Sequence, residues 1–189
     1  MAKKTIALLI DLGSLRVSCE GFQKLYDEIA ESYDIRFVKF YSYVAKRNRD
    51  FNEYIAAKGY DAVTPIASKR RNRLDTREVI DGTKLSLNSS IDAIGIAFGE
   101  GDILPIVGEL KFAGKEVIEI GVERCDYSEA FTGFVKVDTS YLRKEYAAPT
   151  KKKEPKQKKV VPSRVGEYKS RFDDRFNSRG AEILRNHKK

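Results

Sequence analysis

The sequence predicts an α/β protein, a three-layer α/β/α domain with a mainly parallel sheet of five to six strands, followed by a basic, largely disordered C-terminal tail. Short apolar runs typical of strands buried on both faces alternate with segments whose apolar residues recur at helical spacing. This one-by-one alternation is typical of βαβ crossovers and a parallel sheet. A change of composition near residue 147 predicts a domain over residues 1–146 and a tail over residues 147–189.

The first half of the domain is predicted to contain three strands and two helices. The strands are residues 5–11 (TIALLID), 34–44 (DIRFVKFYSYV) and 61–67 (DAVTPIA). The helices are residues 15–33, where apolar side chains recur at helical spacing from Leu15 onward, and residues 49–60, where Gly59 suits a C-terminal cap.

The second half begins with a basic loop, residues 68–73 (SKRRNR). Asp75 is then predicted to cap a helix that continues through Ile80. The remaining elements are a strand, a helix and a strand, predicted over residues 91–99 (IDAIGIAFG), 102–114 (DILPIVGELKFAG) and 115–122 (KEVIEIGV). Residues 127–146 fit either a short helix with a terminal strand or a loop.

The positive charge of the chain is confined to the tail. Residues 151–189 contain 14 Lys and Arg against 5 Asp and Glu, a net +9, so the first 150 residues carry 22 basic and 23 acidic residues, a net −1. The Lys- and Pro-rich tail has too few apolar residues to fold by itself, although Tyr168, Phe172 and Phe176 predict a short amphipathic helix near its end. We expect the tail to bind nucleic acid. The alternatives are a disordered solubilising extension and a segment that docks a protein partner or a second copy in a homodimer.

Several classes of protein are excluded or disfavoured by composition. Cys19 and Cys125 match no disulfide or zinc pattern, so we expect reduced thiols and a cytoplasmic protein. The opening residues do not form a signal peptide, and no apolar stretch is long enough to cross a membrane. His187 is the only histidine and lies near the C-terminus, which excludes histidine general-base catalysis and a histidine triad.

Carboxylates follow two of the predicted strands. Asp11 ends the first strand, Glu100 and Asp102 follow the strand at residues 91–99, and Asp75 begins the helix leading into it. Because ligands of parallel sheets bind beyond the carboxyl ends of the strands, these groups are expected at one edge if the two strands are neighbours. Carboxylates crowded together repel one another unless they are protonated or bridged by a cation, and oxygen ligands favour Mg²⁺ or Mn²⁺. The alternatives are an exposed acidic turn and, for Asp75, a helix cap alone.

With no histidine or nucleophilic cysteine nearby, metal-activated water is the chemistry that these residues favour. A phosphatase or nucleotide-binding enzyme is supported only by the fold class. Gly13 stands where a haloacid-dehalogenase-like phosphatase has its second Asp, and the loop after Asp11 contains no phosphate-binding glycine motif.

Three stretches, in this order and spacing, resemble the NYN domain, the LabA-like branch of the PIN-domain superfamily. They are IALLIDLGSL, NRLDTREVIDGTKL and AFGEGDILPIVGELKFAGKEVIEIG, and the resemblance covers roughly residues 5–140. It implies a PIN-like fold and a metal-dependent ribonuclease. Such an enzyme uses Mg²⁺ or Mn²⁺ to hydrolyse the phosphodiester bonds of RNA.

The resemblance also implies roles for individual residues. Asp11 and Asp102 would coordinate the metal. Asp75 and Glu100 would complete its shell or orient the attacking water, and Asp81 would tune the metal site from behind. The RNA-binding residues would be Ser14, which would hydrogen-bond a phosphate or a metal-bound water, and the basic loop, with Lys69, Arg70, Arg71 and Arg73.

Two motifs differ from the family pattern. The first strand ends in DLGS, with Gly13 at the position of the family's inner acid and Ser14 at that of its Asn. The family's SGDSDF turn reads FGEGDI here, so that Glu100 replaces an Asp and a serine is lost. These differences motivate the alternative hypothesis of a catalytically degenerate NYN-fold protein that binds RNA or acts as a scaffold.

Overall fold

Parallel strands and α-helices alternate in this computed structural model, which describes residues 2–65, 74–99 and 101–144. The strands are β1 (Lys4–Asp11), β2 (Tyr33–Tyr41), β3 (Asp61–Ala62), β4 (Ala93–Ala97), β5 (Glu116–Gly121) and β6 (Gly133–Lys136). The helices are α1 (Cys19–Ser32), α2 (Arg49–Lys58), α3 (Thr76–Ser86) and α4 (Leu104–Phe112). Two 3-10 helices, Ser128–Ala130 and Thr139–Tyr141, precede and follow β6.

The six strands form one sheet in the order β3-β2-β1-β4-β5-β6, and every neighbouring pair is parallel. Ile10 lies opposite Phe40 of β2 on one side and Ala97 of β4 on the other. The chain therefore leaves β1 toward one edge of the sheet and later returns to β1's other side. This reversal of strand order is the place where parallel sheets open a ligand crevice. The predicted fold class is confirmed, and the first and fourth strands are neighbours in the sheet, as the site prediction requires.

Both faces of the sheet are covered by helices, which explains why β1 is apolar throughout. Ile6, Leu8 and Ile10 pack into a core with α1 and α2, while Ala7 and Leu9 pack into a second core with α3 and α4. Successive side chains of a strand point to opposite faces, so a strand between two helix layers needs no polar side chain until it ends.

The start of α1 differs from the prediction. The helix begins at Cys19, where the hydroxyl of Ser18 accepts a hydrogen bond from the backbone N–H of Gly21 (3.0 Å), rather than at Leu15. Leu15 and Val17 are buried, but they belong to a loop in which Arg16 has a positive φ of 55°. Leu15 therefore matched the helical spacing of the apolar residues although it is buried by tertiary packing of a loop.

Other elements end where local chemistry predicts. Gly59 closes α2 in the left-handed conformation (φ 66°), and Asp75 caps α3 by accepting from the N–H of Arg77.

The third strand is shorter than expected, with only Asp61 and Ala62 paired to β2. The ambiguous segment after residue 127 contains two 3-10 helices around a short strand.

Some predictions fall outside the described ranges. These are the basic loop, Glu100, and the basic tail with its C-terminal helix, so the boundary near residue 147 remains a prediction.

Cys19 and Cys125 are both free thiols, as expected. Within the described ranges, no helix has the length and apolar character needed to cross a bilayer.

Candidate metal centre and nucleic-acid groove

Asp11 is completely buried at the carboxyl end of β1. Its Oδ1 accepts a hydrogen bond from the N–H of Gly13 (2.8 Å), and its Oδ2 accepts one from the hydroxyl of Ser14 (2.7 Å). Burying a carboxylate is unfavourable unless hydrogen bonds or an opposite charge compensate it. The loop after β1 therefore folds around this side chain and fixes its orientation.

Gly13 leaves no room for a side chain in this loop. A Cβ at position 13 would lie 3.1 Å from Oδ1 of Asp11 and 3.2 Å from the hydroxyl oxygen of Ser42. Ser42 is itself buried and has a positive φ of 53°, a strained conformation of the kind that clusters at functional sites. Ser42 was missed by sequence reasoning because nothing in the sequence places the end of β2 beside Asp11.

Asp75 is held by Arg77. Its Oδ1 accepts from the N–H (3.0 Å) and the Nε (2.9 Å) of Arg77, and its Oδ2 accepts from Nη2 (2.5 Å). The same Nη2 donates to the carbonyl oxygen of Thr64 (2.6 Å). The Arg77 guanidinium lowers the pKa of Asp75, which is therefore a charged helix cap at the entrance to the crevice.

Glu78 is the acidic residue that sequence reasoning missed. It is only 1% exposed, and neither of its carboxylate oxygens has a hydrogen-bond partner. Burial, followed by the charges of Asp11 and Asp75, raises the pKa of Glu78 well above its ordinary value. The available signal was its spacing, because a residue three positions after Asp75 lies on the same face of the helix.

Asp102 lies at the start of α4. It is exposed, and its Oδ1 accepts from the N–H of Leu104 (3.1 Å). The loop before it packs against the segment that leads to Asp75, since a Cβ at Gly101 would lie 2.8 Å from Cβ of Leu74. The loop carrying Asp102 and the start of α3 are thus adjacent at the carboxyl edge of the sheet.

Asp81 faces the neighbouring strand β2. Its Oδ2 accepts from the hydroxyl of Tyr41 (2.8 Å) and forms an ion pair with Nζ of Lys39 (3.0 Å). Burial and then the hydrogen bond to Asp81 raise the pKa of Tyr41, so the phenol stays a hydrogen-bond donor. The tuning role predicted for Asp81 remains a prediction.

The chemistry of these donors fits a divalent cation. Asp11, Asp75 and Glu78 interact electrostatically, and the unpartnered oxygens of Glu78 are what a hard cation would satisfy. Among the described residues, however, no three Asp, Glu, His or Cys side chains converge closely enough to surround one ion. Asp11 is hydrogen-bonded to Ser14, and Asp75 is hydrogen-bonded to Arg77.

An open groove of about 560 Å³ adjoins Asp11. It lies between the loops that follow β1, β4 and β5. Its lining residues are Ser14, Arg16, Phe98, Gly99, Gly101, Cys125, Asp126 and Tyr127. Because Ser14 hydrogen-bonds Asp11, the groove and the carboxylates share one edge of the sheet.

Residues 5–142 match the NYN domain family. No protein of curated function matches the chain. Among solved structures, the chain is similar to a homoserine dehydrogenase from S. aureus, with 15% identity and a TM-score of 0.38, over 72% of this chain and 32% of that one. A structure described as a basis for the mechanism and regulation of Sir2 enzymes has 12% identity and a TM-score of 0.32, over 70% of this chain and 86% of that one. These two similarities are too weak to establish a shared fold or function.

Proposed function

Because the chain belongs to the NYN domain family, part of the PIN-like superfamily of nucleases, we propose that it is a metal-dependent ribonuclease. It would hydrolyse RNA phosphodiester bonds with Mg²⁺ or Mn²⁺. The observation that carries the proposal is the buried, unpartnered carboxylate of Glu78 beside Asp11 and Asp75, at the edge of the sheet where ligands bind. Membership of the LabA-like branch remains a prediction.

The proposed roles combine the positions of the described side chains with the roles that the family resemblance implies. Asp11 and Asp102 would hold the cation from the ends of β1 and β4, and Glu78 would join them from α3. Asp75 and Glu100 complete the shell or orient the attacking water, and Ser14 binds a phosphate oxygen. When bound, the cation supplies an acidified water and neutralises charge on the phosphoryl oxygens.

Metal binding at this site requires Asp75 to exchange partners. Arg77 donates hydrogen bonds to both carboxylate oxygens of Asp75. The guanidinium thus supplies the positive charge that a bound cation would supply to this carboxylate. We propose that Arg77 would have to release Asp75 for this carboxylate to hold an ion. The guanidinium of Arg77, which also donates to the carbonyl oxygen of Thr64, would then be available to a substrate phosphate. Lys69, Arg70, Arg71 and Arg73 of the basic loop remain the predicted RNA-binding residues.

The same contact favours a second candidate function. If Arg77 replaces the metal permanently, the chain is a non-catalytic NYN protein that binds RNA or acts as a scaffold. The closely packed Gly13, where the family has an acid, points in the same direction. In that case RNA binding is indifferent to EDTA and no metal induces cleavage.

The deciding experiment measures cleavage of a labelled single-stranded RNA in Mg²⁺ or Mn²⁺ by the full chain and by two variants. Asp102→Asn removes the charge of the exposed site residue, and Asp27→Asn is the matched control on an exposed position of α1. We expect Asp102→Asn to lower the rate by at least about 100-fold, since this corresponds to roughly 3 kcal/mol of transition-state stabilisation. Asp27→Asn is expected to cleave like the wild type.

Equal residual cleavage by the wild type and Asp102→Asn in either metal would overturn the proposal. Thermal melts of both variants serve as the folding control, because both substituted positions are exposed and neither substitution disturbs the core.

A further inference from the structure

The amino-terminal half of β2 has one edge that no described strand covers. β1 pairs with β2 along its whole length, but on the other side β3 pairs only with Lys39 and Phe40. Beyond β3 the chain follows the carboxyl end of β2, where the N–H of Val63 donates to the carbonyl oxygen of Phe40 (2.9 Å). Within the described part of the chain, residues 33–38 therefore have no strand on their outer side. We propose that this edge pairs with the same edge of a second copy of the chain.

The proposed contact is an antiparallel pair of β2 strands. An uncovered strand edge exposes backbone N–H and C=O groups that can hydrogen-bond a further strand. A two-fold axis through Ile35, perpendicular to the sheet, would run the two β2 strands antiparallel, with Ile35 of one copy opposite Ile35 of the other. The sheet then continues from one copy into the next. Because both copies use the same surface, the assembly closes as a dimer and does not grow into a fibre.

Charge selects this register. With Ile35 on the axis, Asp34 of each copy lies opposite Arg36 of the other. The two side chains form an ion pair within one chain (2.6 Å), so they lie on the same face of the strand and are partly exposed there. The neighbouring two-fold registers would place Asp34 opposite Asp34, or Arg36 opposite Arg36. Like charges directly opposite destabilise a strand pair and opposite charges stabilise it, so the register centred on Ile35 is favoured over both.

The same features explain why a second copy is favoured over other strands. Charged side chains and bulges commonly protect an edge strand from pairing. β2 has both, since Ile35 pairs with Ile6 and Phe37 with Ala7, which leaves Arg36 as the extra residue of a bulge. An arbitrary strand meets an unmatched charge at this edge. An antiparallel second copy presents the two charges in the reverse order and matches both.

An open groove of about 570 Å³ beside this edge enlarges the contact. A strand pair alone is small compared with the roughly 1,200–2,000 Å² that specific interfaces bury, so neighbouring surface has to contribute. Phe37, in the same strand, is a large apolar side chain that is 36% exposed, and aromatic residues are enriched in interfaces. The groove lies between α1 and the start of β2, and its lining includes Tyr26, Ala30, Tyr33, Asp34, Ile35 and Arg36.

The dimer would leave the candidate metal centre accessible. Residues 33–38 belong to the amino-terminal part of β2, whereas Asp11 lies opposite Tyr41 at its carboxyl end. Antiparallel β2 strands turn the carboxyl edges of the two sheets in opposite directions. The two metal centres are thus separate, and the inference goes beyond the proposed function without depending on it.

The first test measures the oligomeric state of the full chain by sedimentation equilibrium over a range of concentrations, without metal or RNA. The wild type is expected to show a monomer–dimer equilibrium. Asp34→Lys and Arg36→Asp each place like charges opposite one another at two symmetric points, so each should raise the Kd of the dimer at least about tenfold. Asp27→Lys, on an exposed position of α1, is the matched control and should leave the Kd unchanged.

Mixing the two single variants provides the sharper test. In a mixed dimer of Asp34→Lys with Arg36→Asp, the introduced lysine faces the introduced aspartate, and the remaining arginine faces the remaining aspartate. We expect an equimolar mixture to form heterodimers at a concentration at which each variant alone is a monomer. Recovery of this kind also shows that both variants are folded.

Hydrogen exchange of the wild type gives a readout that needs no variant. The backbone amides of residues 33–38 should exchange more slowly as the protein concentration rises, because the second copy covers them. A wild type that stays monomeric, or single variants that dimerise like the wild type, as an interface through the basic tail would allow, would overturn the inference. Unprotected amides in a dimer would do the same. None of these outcomes bears on RNA cleavage, so this inference and the proposed function fail separately.

Discussion

Glu78 is the residue whose environment most needs an explanation. It is buried in α3, and burial, together with the charges of Asp11 at the end of β1 and Asp75 at the N-cap of α3, raises its pKa. Leaving a buried polar group without a hydrogen bond costs about 1–3 kcal/mol, and more when it is charged. The unpartnered side chain of Glu78 is therefore destabilising, and under the proposed function a bound cation would relieve this cost.

The first prediction concerns Glu78→Gln in EDTA. Because the pKa of Glu78 is raised above its ordinary value of 4.5, its stabilising contribution is present below pH 4.5 and is lost as the pH rises through the raised value. The free energy of unfolding of the wild type should therefore fall, relative to that of Glu78→Gln, as the pH increases from about 4.5 to 8. Urea unfolding at each pH measures this difference.

Glu53→Gln, on an exposed position of α2, is the control and should show no such divergence from the wild type. Adding Mn²⁺ at pH 7 should stabilise the wild type more than Glu78→Gln, since the ion takes up the charge that the amide lacks. If the curves of wild type and Glu78→Gln run parallel across this pH range, the raised pKa is wrong.

At the scale of elements, the 3-10 helix Thr139–Tyr141 packs on α1, and this packing depends on Gly21. A Cβ at Gly21 would lie 2.6 Å from Cα of Tyr141, a backbone atom that cannot move aside by rotating a side chain. The backbone N–H of Ser18 also donates to the carbonyl of Tyr141 (2.9 Å), which ties the N-terminus of α1 to this 3-10 helix.

The second prediction is that Gly21→Ala destabilises the protein by about 3 kcal/mol or more, because overpacking against backbone cannot relax. Gly108→Ala in α4 is the matched control. Nothing lies within 4 Å of a Cβ at Gly108, so the substitution should stabilise the helix by up to about 1 kcal/mol. Chemical denaturation of both variants provides the comparison, and a Gly21→Ala protein as stable as the wild type would contradict the described packing.

The elements were largely predictable from sequence, whereas parts of the site were not. Apolar runs and caps such as Asp75 are local signals, so the order of strands and helices followed from them. The start of α1 was mistaken because Leu15 is buried as part of a loop and not on a helix face. Glu78 was missed because its burial depends on how α3 docks on the sheet, where Gly82 lets Ile106 of α4 approach within 3.1 Å of a Cβ position.

On the scale of the whole molecule, charge is divided between two parts of the chain. Residues 1–150 carry a net −1 and residues 151–189 a net +9, and the family match ends at residue 142. A near-neutral domain with an acidic site gains little non-specific affinity for a polyanion. We therefore expect the tail to supply most of the RNA affinity and the domain to supply the chemistry.

The third prediction compares the full chain with a chain ending at residue 150 and with a full-length variant whose tail lysines are replaced by glutamine. Both variants should bind RNA at least about tenfold more weakly at low salt, and the slope of log K against log salt should flatten, because fewer counterions are released. Anisotropy titrations at several salt concentrations provide both quantities. A glutamine variant that binds like the wild type would show that charge in the tail is not responsible.

The central claim is that carboxylates from remote parts of the chain share one cation at the carboxyl edge of the sheet. A crystal soaked in Mn²⁺ tests it directly through anomalous scattering. The account predicts one peak coordinated by Asp11 and Asp102, with Glu78 within coordination distance and Arg77 withdrawn from Asp75. A soaked crystal in which Arg77 still holds Asp75 and no peak lies between the ends of β1 and β4 would contradict it.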